Sequence, residues 1–447
     1  MKNILSFLLF GLLTLSFPNL YGKPYSIGSR GGWTSSRSSL SSSLSSGGRQ
    51  WKYSNLSESS DTKSNDLSIK YIKVSSKIGD DVNGYIGKVW QSEKHTWKDD
   101  STGYEITQWT NTGTNWHLYF NDESFIDDTT AIIYSNRTGK INLYKMNLNN
   151  GEMIQMTAES HMRPNVWHLK NIKTLWYLNG DTLKTLNTET LIAKNIYVFT
   201  ENKPVSFSVT CDAKYFVFAT NKNPGYTRKC STGPYAIYRL NLATMKLRQI
   251  SPDYGFRINH ILCNPVNPKI ISYCWAHVFE KNKPGIFGIP PIRIWWLNID
   301  GTDGGPVTPQ EYGLHRTHEF WFPDGSMLGF TARYKFGIHK GKQFIGAANY
   351  KSGDHFMIPL NVEAAHPQIF SDKETWVTDL YNGQYLAIYK IENRQLKYTK
   401  ILFKHNSSWS TGASEPCPEF SPDGKNIIFN TDRTGKTQVY TVRVNLR

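Results

Sequence analysis

Short apolar runs that recur about every fifty residues constrain the fold of this chain more than any other feature. From Leu67 onward, runs rich in Ile, Val, Tyr, Phe and Trp alternate with turns of Gly, Asn and Asp, and helical periodicity is almost missing. One unit reads TTAIIYSNRTGKINLYKMNLNNGEMIQMT (residues 129–157), and the chain ends on a similar one, EFSPDGKNIIFNTDRTGKTQVYTVRVNL (residues 419–446). Each unit contains three strands and two turns, so the pattern predicts an all-β protein.

The spacing of these units predicts a β-propeller. Inner strands are expected to begin near seven positions, at intervals of 46, 44, 53, 58, 48 and 51 residues: His117, Arg163, Phe207, His260, His318, His366 and Cys417. Such spacing is typical of four-stranded blades, so seven starts predict a seven-bladed β-propeller. The last unit lacks its outermost strand, and TGYEITQWT (residues 102–110) is placed to supply that strand and close the ring. A large β-sandwich has similar short strands but not this rhythm.

The N-terminal residues predict export and then a flexible segment. MKNILSFLLFGLLTLSF has a basic start and an apolar stretch too short for a membrane span, with small residues near Gly22 as a cleavage site. We therefore expect a signal peptide over residues 1–22 and a secreted or periplasmic protein without a membrane span. Residues 23–66, which include SSRSSLSSSLSSGG, form a predicted disordered linker, and residues 67–447 form the propeller.

The formal net charge of +15 favours an anionic partner. The basic residues are scattered, without a basic helix or an RNA-binding signature, so nucleic acid is not expected. For an exported protein an acidic polysaccharide or oligosaccharide is the more natural anion, although general solubility explains the charge equally well. We expect a monomer.

The five cysteines are too few for a secreted domain held together by disulfides. Because their number is odd, at least one thiol is unpaired or bound to a metal. Pairing of Cys211 with Cys230, or of Cys263 with Cys274, stays open.

Histidine and cysteine recur at one register of the predicted inner strands. Four residues stand six or seven positions before the turn that follows their strand: His260, His318, His366 and Cys417. Inner strands begin at one face of a propeller near its central channel, so these side chains are expected to converge there. His117 stands ten residues before Asp127 and is expected at the rim. Any one such histidine can instead bond a neighbouring blade, but the recurrence in several blades favours a functional cluster.

The types of these residues suit acid–base chemistry and metal binding. Histidine is the commonest base near neutral pH. SEPCPEF (residues 414–420) places Glu415 and Cys417 two positions apart, on the same face of an extended strand. With His318 they form a candidate metal group, in which a thiolate favours zinc over calcium or magnesium.

These segments resemble the oligogalacturonate lyases, a family of seven-bladed propeller polysaccharide lyases whose architecture the ulvan lyases share. The resemblance covers nearly the whole predicted folded part. WKDDSTGYEITQWT (residues 97–110) is similar to the opening strand of the family, and THEFWFPDGS (residues 317–326) is its most specific motif. INHILCNP (residues 258–265) resembles the segment with the catalytic histidine, which implies His260 as the base. THEFW implies His318 as a metal ligand.

The chain departs from the family pattern at two places. Where the family has a His-Pro-His stretch among its metal ligands, this chain has Glu415, Pro416 and Cys417. The family resemblance implies manganese, whereas this departure from it favours a different divalent metal, such as zinc, or none. The catalytic arginine of the family has no counterpart, because its place falls at Tyr235 or Ala236. Three nearby residues are candidates to bind substrate in its place: Tyr226, Arg228 and Arg257.

The sequence therefore predicts a lyase that cleaves a uronic-acid polysaccharide or oligosaccharide by β-elimination. His260 would remove the C5 proton while a cation on the carboxylate stabilises the developing charge. His117, as a second catalytic residue, or His366, as a substrate-binding residue, would contact the sugar or assist the leaving group. The alternative is a non-catalytic TolB-like propeller that binds a glycan or a protein. A serine peptidase is disfavoured by the lack of a Gly-x-Ser-x-Gly elbow, and a glycoside hydrolase by the lack of paired carboxylates.

Overall fold

The computed structural model describes residues 84–223, 232–276, 292–309, 311–381 and 384–446. The expected signal peptide (1–22), the expected linker (23–66) and the expected domain start at Leu67 lie outside these ranges. Within them the secondary structure is almost entirely β-strand, which confirms the all-β prediction. No helix of the described ranges is long and apolar enough to span a membrane.

The strands are numbered in chain order. The first half comprises β1 Val89–Trp90, β2 His95–Lys98, β3 Glu105–Gln108, β4 Asn115–His117, β5 Phe125–Asp127, β6 Thr130–Ser135, β7 Asn142–Asn147, β8 Met153–Gln155, β9 Met162–Leu169, β10 Thr174–Asn179, β11 Thr182–Asn187, β12 Ala193–Val198, β13 Pro204–Val209, β14 Tyr215–Asn221, β15 Thr232–Asn241 and β16 Leu247–Gln249. The second half comprises β17 Tyr254–Phe256, β18 Ile258–Cys263, β19 Ile270–Trp275, β20 Ile294–Asn298, β21 Gly304–Pro306, β22 Leu314–Trp321, β23 Leu328–Tyr334, β24 Gln343–Ala348, β25 His355–Leu360, β26 Gln368–Ile369, β27 Thr375–Asp379, β28 Tyr385–Glu392, β29 Gln395–Lys404, β30 Glu419–Phe420, β31 Asn426–Thr431 and β32 Gln438–Arg443. Short 3-10 turns span Lys170–Ile172 and Gly412–Ser414.

The strands form seven antiparallel sheets arranged as blades in a ring, which confirms the predicted seven-bladed β-propeller. Five blades use consecutive strands: β9–β12, β13–β17, β18–β21, β22–β25 and β26–β29. The first blade joins β4–β8 to β1, and the last joins β30–β32 to β2 and β3. Both termini of the described chain thus contribute strands to the blades where the ring closes.

The ring closes as the sequence predicted. Strand β3, inside TGYEITQWT, pairs with β32, and Ile106, Thr107 and Gln108 lie opposite Val442, Thr441 and Tyr440. Just beyond β3, the Trp109 indole donates a hydrogen bond of 3.0 Å to the Thr441 hydroxyl. The last blade therefore receives its outer strands from the first described part of the chain, which joins the two ends of the propeller.

Each blade has an inner strand that begins within about four residues of the predicted start, but the inner strands of three blades are short. Strand β4 ends at His117, while β26 and β30 hold two residues each and begin after His366 and Cys417. At these positions backbone N–H groups donate to side-chain oxygens instead of to the carbonyl oxygens of a neighbouring strand. The backbone N–H of His366 donates to Asp379 Oδ1 (2.6 Å), and that of His117 donates to Asn430 Oδ1 (2.9 Å).

The apolar core is divided into clusters between neighbouring blades, as expected for sheets packed face to face. One cluster joins β27 and β28 of the sixth blade to β31 and β32 of the last blade, and includes Val377, Ile388, Ile427 and Tyr440, all at most 1% exposed. Another cluster surrounds the buried Trp376 below the strand starts. These clusters fix the relative positions of the blades and hence of the residues at their inner ends.

The cysteines of the described ranges are free thiols: Cys211, Cys263, Cys274 and Cys417. The alternative of a disulfide between Cys263 and Cys274 is therefore wrong. Cys263, Cys274 and Cys417 are buried, whereas Cys230 lies outside the described residues.

Candidate active site

Three residues of the predicted register share an unusual backbone conformation. His260, His318 and Cys417 have positive φ angles of 48°, 54° and 47°. At His260 and His318 the pairing with the next strand also shifts register, as in a β-bulge. Positive φ is uncommon for residues other than glycine, and bulges redirect side chains next to active sites. The same irregularity therefore recurs at the inner ends of three blades.

His260 lies beside a buried carboxylate from the next blade. Its Nδ1 is 2.8 Å from Glu319 Oε1, although the ring is not aligned for a hydrogen bond. Glu319 is fully buried, and its other oxygen lies 3.4 Å from the Arg293 guanidinium. Burial opposes ionisation of Glu319, but Arg293 and His260 outweigh it and hold the pKa of Glu319 well below its usual range. Glu319 is thus an ionised group against the His260 ring.

A second cluster lies around His366. Its Nδ1 is 2.9 Å from Asp379 Oδ2, and its Nε2 is 3.4 Å from Glu415 Oε2. Asp379 also accepts a hydrogen bond of 3.1 Å from the backbone N–H of Cys417. Although burial opposes charge on both groups, their attraction lowers the pKa of Asp379 and, with Glu415, raises the pKa of His366. The His366 ring is thus held between two carboxylates.

The His366 cluster has the donors of a cation site. One ligand atom from each of His366, Glu415 and Cys417 lies within 4.8 Å of the others. Burial raises the pKa of Glu415, and burial together with Asp379 and Glu415 raises the pKa of Cys417 well above its usual range. A divalent cation between these groups would stabilise their charged forms, so the donor set fits such an ion. Imidazole, carboxylate and thiolate together suit zinc or a similar transition metal.

The group of His260, Cys274 and Glu319 has the same residue types at similar separations. Here the Arg293 guanidinium already neutralises the carboxylate, and burial raises the pKa of Cys274 well above its usual range. This group therefore lacks the excess negative charge that would attract a cation.

His318 lies next to the cation cluster rather than within that group. Its ring centroid is 4.6 Å from that of His366, and its Nδ1 is 3.0 Å from the Thr331 hydroxyl. Burial, His366 and Arg293 hold the pKa of His318 well below its usual range, so the ring is neutral and able to act as a ligand. The structure thus brings the predicted metal residues His318, Glu415 and Cys417 to one place, with His366 at their centre.

His117 does not lie at the rim, and that expectation is wrong. Its side chain is 1% exposed, with Nδ1 3.0 Å from the Ser124 hydroxyl and Nε2 3.3 Å from the Pro416 carbonyl oxygen. Burial lowers the pKa of His117 to about 4. The number of residues between His117 and Asp127 does not give the distance of His117 from the channel. The chain leaves the sheet between β4 and β5, so part of that interval is not strand.

The three candidates for substrate binding have different outcomes. Tyr226 and Arg228 lie outside the described residues, and nothing in the structure tests their role. Arg257 is half-buried immediately before β18. Burial of Cys274 raises the pKa of that thiol, and the nearby charge of Arg257 opposes the rise. His366, the fourth substrate-binding prediction, lies in the cation cluster.

Four residues of the site were missed by the sequence reasoning: Tyr119, Arg293, Glu319 and Asp379. The three charged residues had a weak signal, because a charged residue inside an apolar strand run needs a partner. Arg293 stands in PPIRIWW, Glu319 in THEFW, and Asp379 ends TWVTD. Glu319 meets Arg293 and His260 across two neighbouring blades, whereas Asp379 meets His366 within its own blade, and no spacing along the chain indicates either contact.

Tyr119 lies between the two clusters. Its ring centroid is 5.9 Å from that of His260 and 5.5 Å from that of His366. The residue is half-buried, and burial with the nearby Cys417 raises the pKa of its hydroxyl well above the usual range. The candidate site is thus a histidine–carboxylate pair and a cation cluster with a tyrosine between them.

The chain is similar in sequence to known lyases. Residues 86–446 match the family model described as oligogalacturonate lyase. Two named relatives are an oligogalacturonate lyase of Dickeya dadantii, 23% identical over 80% of this chain and 98% of the relative, and an oligogalacturonide lyase of Pectobacterium atrosepticum, 24% identical over 78% and 96%.

Solved structures show the same fold. An oligogalacturonate lyase in complex with manganese superposes with a TM-score of 0.72 at 21% identity, covering 81% of this chain and 98% of that one. An oligogalacturonate lyase of Vibrio parahaemolyticus gives 0.71 at 20% identity, covering 81% and 99%.

The expectations of a polysaccharide lyase and of its family are confirmed, and a non-catalytic propeller is not favoured. The family model covers nearly the whole described propeller, including both clusters of the candidate site. The chain therefore belongs to the oligogalacturonate lyase family.

Proposed function

We propose that this enzyme cleaves 4-linked oligogalacturonates by β-elimination, with His260 as the base, and acts as a monomer. The observation that carries the proposal is the contact of His260 with the buried, ionised Glu319, beside a cluster of cation ligands. Relatives named for oligogalacturonate favour that substrate over ulvan. The net charge of +15 supports an acidic saccharide of either kind.

His260 has the surroundings that a base requires. A proton on Nδ1 faces the Glu319 carboxylate, so Nε2 is the nitrogen that remains to accept the C5 proton. The side chain is 18% exposed, which leaves the ring accessible to a sugar. The 2.8 Å contact is not yet aligned as a hydrogen bond, and catalytic contacts often tighten only with substrate bound.

His366, Glu415 and Cys417 would hold the cation, with His318 beside them. Asp379 fixes the His366 ring through Nδ1, which leaves Nε2 for the ion, as outer carboxylates do in metal sites. When bound, the cation would neutralise the uronate carboxylate and make its C5 proton more acidic. The relative solved with manganese supports a divalent metal, and the thiol of Cys417 favours zinc.

A substrate screen tests the reaction. Oligogalacturonates, ulvan, alginate and glycosaminoglycan fragments would be incubated with the purified enzyme, and the unsaturated uronate product read by its absorbance. We expect the largest signal with oligogalacturonate. Activity only on ulvan would contradict the proposed substrate, and no product from any uronate would contradict the proposed reaction.

Elemental analysis tests the cation site without using activity. We expect about one transition metal per chain, and its loss in Cys417→Ala. Cys263→Ala is the matched control, because Cys263 is also a buried free thiol but lies outside the cluster. A metal retained by Cys417→Ala, or lost equally from both variants, would contradict the assignment.

We also propose that the enzyme acts outside the cytoplasm, as the N-terminal signal predicts. N-terminal sequencing of protein from the periplasm or the medium should find a start near Gly22. A mature protein that retains Met1 in the cytoplasm would contradict export.

A further inference from the structure

β-Elimination needs a second proton transfer that the groups described so far do not supply. When the bond between C4 and its oxygen breaks, the departing oxygen needs a proton, and the base His260 has just received one from C5. An enzyme commonly provides this proton from a positioned side chain. From the sequence, His117 and His366 were the expected donors.

Both of these histidines are held by other groups. His117 is 1% exposed, and its two ring nitrogens contact the Ser124 hydroxyl and the Pro416 carbonyl oxygen. His366 is 2% exposed, and its ring nitrogens face Asp379 at 2.9 Å and Glu415 at 3.4 Å. Neither ring therefore offers a proton to a sugar in the channel.

Tyr119 lies next to the proposed base. Its ring is between His260 and His366, at centroid distances of 5.9 Å and 5.5 Å. Phe120 packs against it with ring centroids 4.7 Å apart, and the backbone turns through a 2.7 Å hydrogen bond from the Asp122 N–H to the Tyr119 carbonyl oxygen. These contacts fix the ring next to the base.

The Tyr119 hydroxyl is not used to hold the fold together. It forms no hydrogen bond with the parts of the chain that the structure describes. A phenylalanine would fill the same space, so packing alone does not explain the hydroxyl. Tyrosine ordinarily keeps its proton at neutral pH, which a proton donor requires.

We propose that Tyr119 is the catalytic acid that protonates the leaving oxygen, an assignment that rests on the proposed function. His260 takes the C5 proton, the C5–H electron pair becomes the C4=C5 double bond, and the C4–O bond breaks. The departing oxygen keeps that bonding pair and takes the proton of the Tyr119 hydroxyl. Solvent then returns a proton to the tyrosinate and removes one from His260, so no water is consumed.

The substitution Tyr119→Phe tests the assignment with two substrates. One is an oligogalacturonate, whose leaving alkoxide needs a proton, and the other is a galacturonoside with a 4-nitrophenyl ether at O4, which leaves as a stable anion. On the oligogalacturonate we expect turnover to fall roughly 100-fold or more with little change in KM. On the nitrophenyl ether, read by nitrophenolate release, the loss should be less than about tenfold.

Two control variants separate the acid from other roles. Tyr381→Phe changes a second tyrosine near the cluster, separated from His366 by the Trp409 ring, and should retain activity on both substrates. His260→Ala should lose activity on both, because both need the C5 proton removed.

Three results would overturn the proposal. Full activity of Tyr119→Phe on oligogalacturonate shows that another group is the acid. Equal losses on both substrates, with or without a lower melting temperature, show that the hydroxyl positions the site instead. A loss in Tyr381→Phe as large as in Tyr119→Phe assigns the effect to general disturbance. An unmodified enzyme that acts on neither substrate contradicts the proposed function itself, which keeps the two failures distinct.

Discussion

Adjacent residues of the THEFW motif contact groups in different blades. His318 lies against His366 of the next blade, whereas Glu319 lies against His260 of the preceding one. Successive strand residues point to opposite sides, so one strand can support both clusters. Arg293 holds Glu319 ionised, and this single buried ion pair gives the His260 ring its charged neighbour. His318 and Glu319 of the motif therefore each contact a different cluster of the site.

Replacement of His260 by alanine should lower turnover by roughly 100-fold or more, the usual scale for losing a general base. The melting temperature should change little, because the partly exposed ring is replaced without opening a sealed cavity. Turnover and thermal unfolding would be measured on the same preparation. His339→Ala, at an exposed histidine away from both clusters, is the control. Unchanged turnover in His260→Ala would remove His260 from the mechanism.

At the scale of strands, the inner ends of three blades adopt a conformation that their sequence does not favour. His260, His318 and Cys417 have positive φ, which costs a residue with a Cβ about 1–2 kcal/mol compared with the right-handed region. The neighbouring strands pack tightly enough to impose this conformation. Strain of this kind is concentrated at functional sites, and here it coincides with the residues of the site.

This strain predicts an unusual order of stability at His318. In a regular strand alanine is more stable than glycine by about 0.5–1 kcal/mol, but at positive φ the order reverses. His318→Gly should therefore unfold at a higher urea concentration than His318→Ala. At Ser208, in regular strand β13, the Gly variant should be the less stable of the pair. The same order at both positions would show that the backbone at His318 is unstrained.

The strand that closes the ring should be needed for stability. In Thr107→Pro the loss of an N–H disturbs the ladder with Thr441, and we expect a fall in the free energy of unfolding of about 1–3 kcal/mol. Thr107→Val keeps the backbone and loses only the 3.0 Å contact with the Thr96 hydroxyl, so it should cost less. Urea unfolding of both variants measures the difference. Equal stability of Thr107→Pro and the unmodified protein would contradict closure by β3.

At the scale of the whole molecule, titratable groups are buried where the first and last blades meet. Glu419 is 1% exposed and accepts hydrogen bonds from the Ser124 N–H, and burial raises its pKa to about 7. His117 lies 3.9 Å away, and burial lowers its pKa to about 4. The two effects are opposite in sign. The raised pKa of Glu419 makes the free energy of unfolding fall as the pH rises from about 4.5 to 7. The lowered pKa of His117 makes it fall as the pH decreases from about 6.5 to 4.

Replacement of Glu419 by glutamine isolates the first effect. Glutamine cannot ionise, so the stability of Glu419→Gln relative to the unmodified protein should rise with pH between about 4.5 and 7. The slope should approach about 1.4 kcal/mol per pH unit and level off above this range. Urea unfolding of both proteins at several pH values measures it. A stability difference that does not vary with pH would contradict a raised pKa at this junction.

The sequence alone determined the architecture of this protein. Strand length, turn residues and the interval between units are local properties of the sequence. They were sufficient to predict seven blades, the approximate starts of their inner strands and the pairing of β3 with β32. The motifs INHILCNP and THEFW also identified the family, because they lie within single strands. Local pattern predicted these features because each blade is built from neighbouring parts of the chain.

Only the tertiary structure decided which groups meet at the inner ends of the blades. Glu319 reaches His260, Asp379 holds His366, and His117 is buried instead of lying at the rim. The first contact joins residues from different blades, and the exact direction of each side chain depends on bulges and on strands that end early. Sequence spacing does not encode these contacts, because they arise from the packing of side chains within one blade for Asp379 and His366 and between two blades for Glu319 and His260.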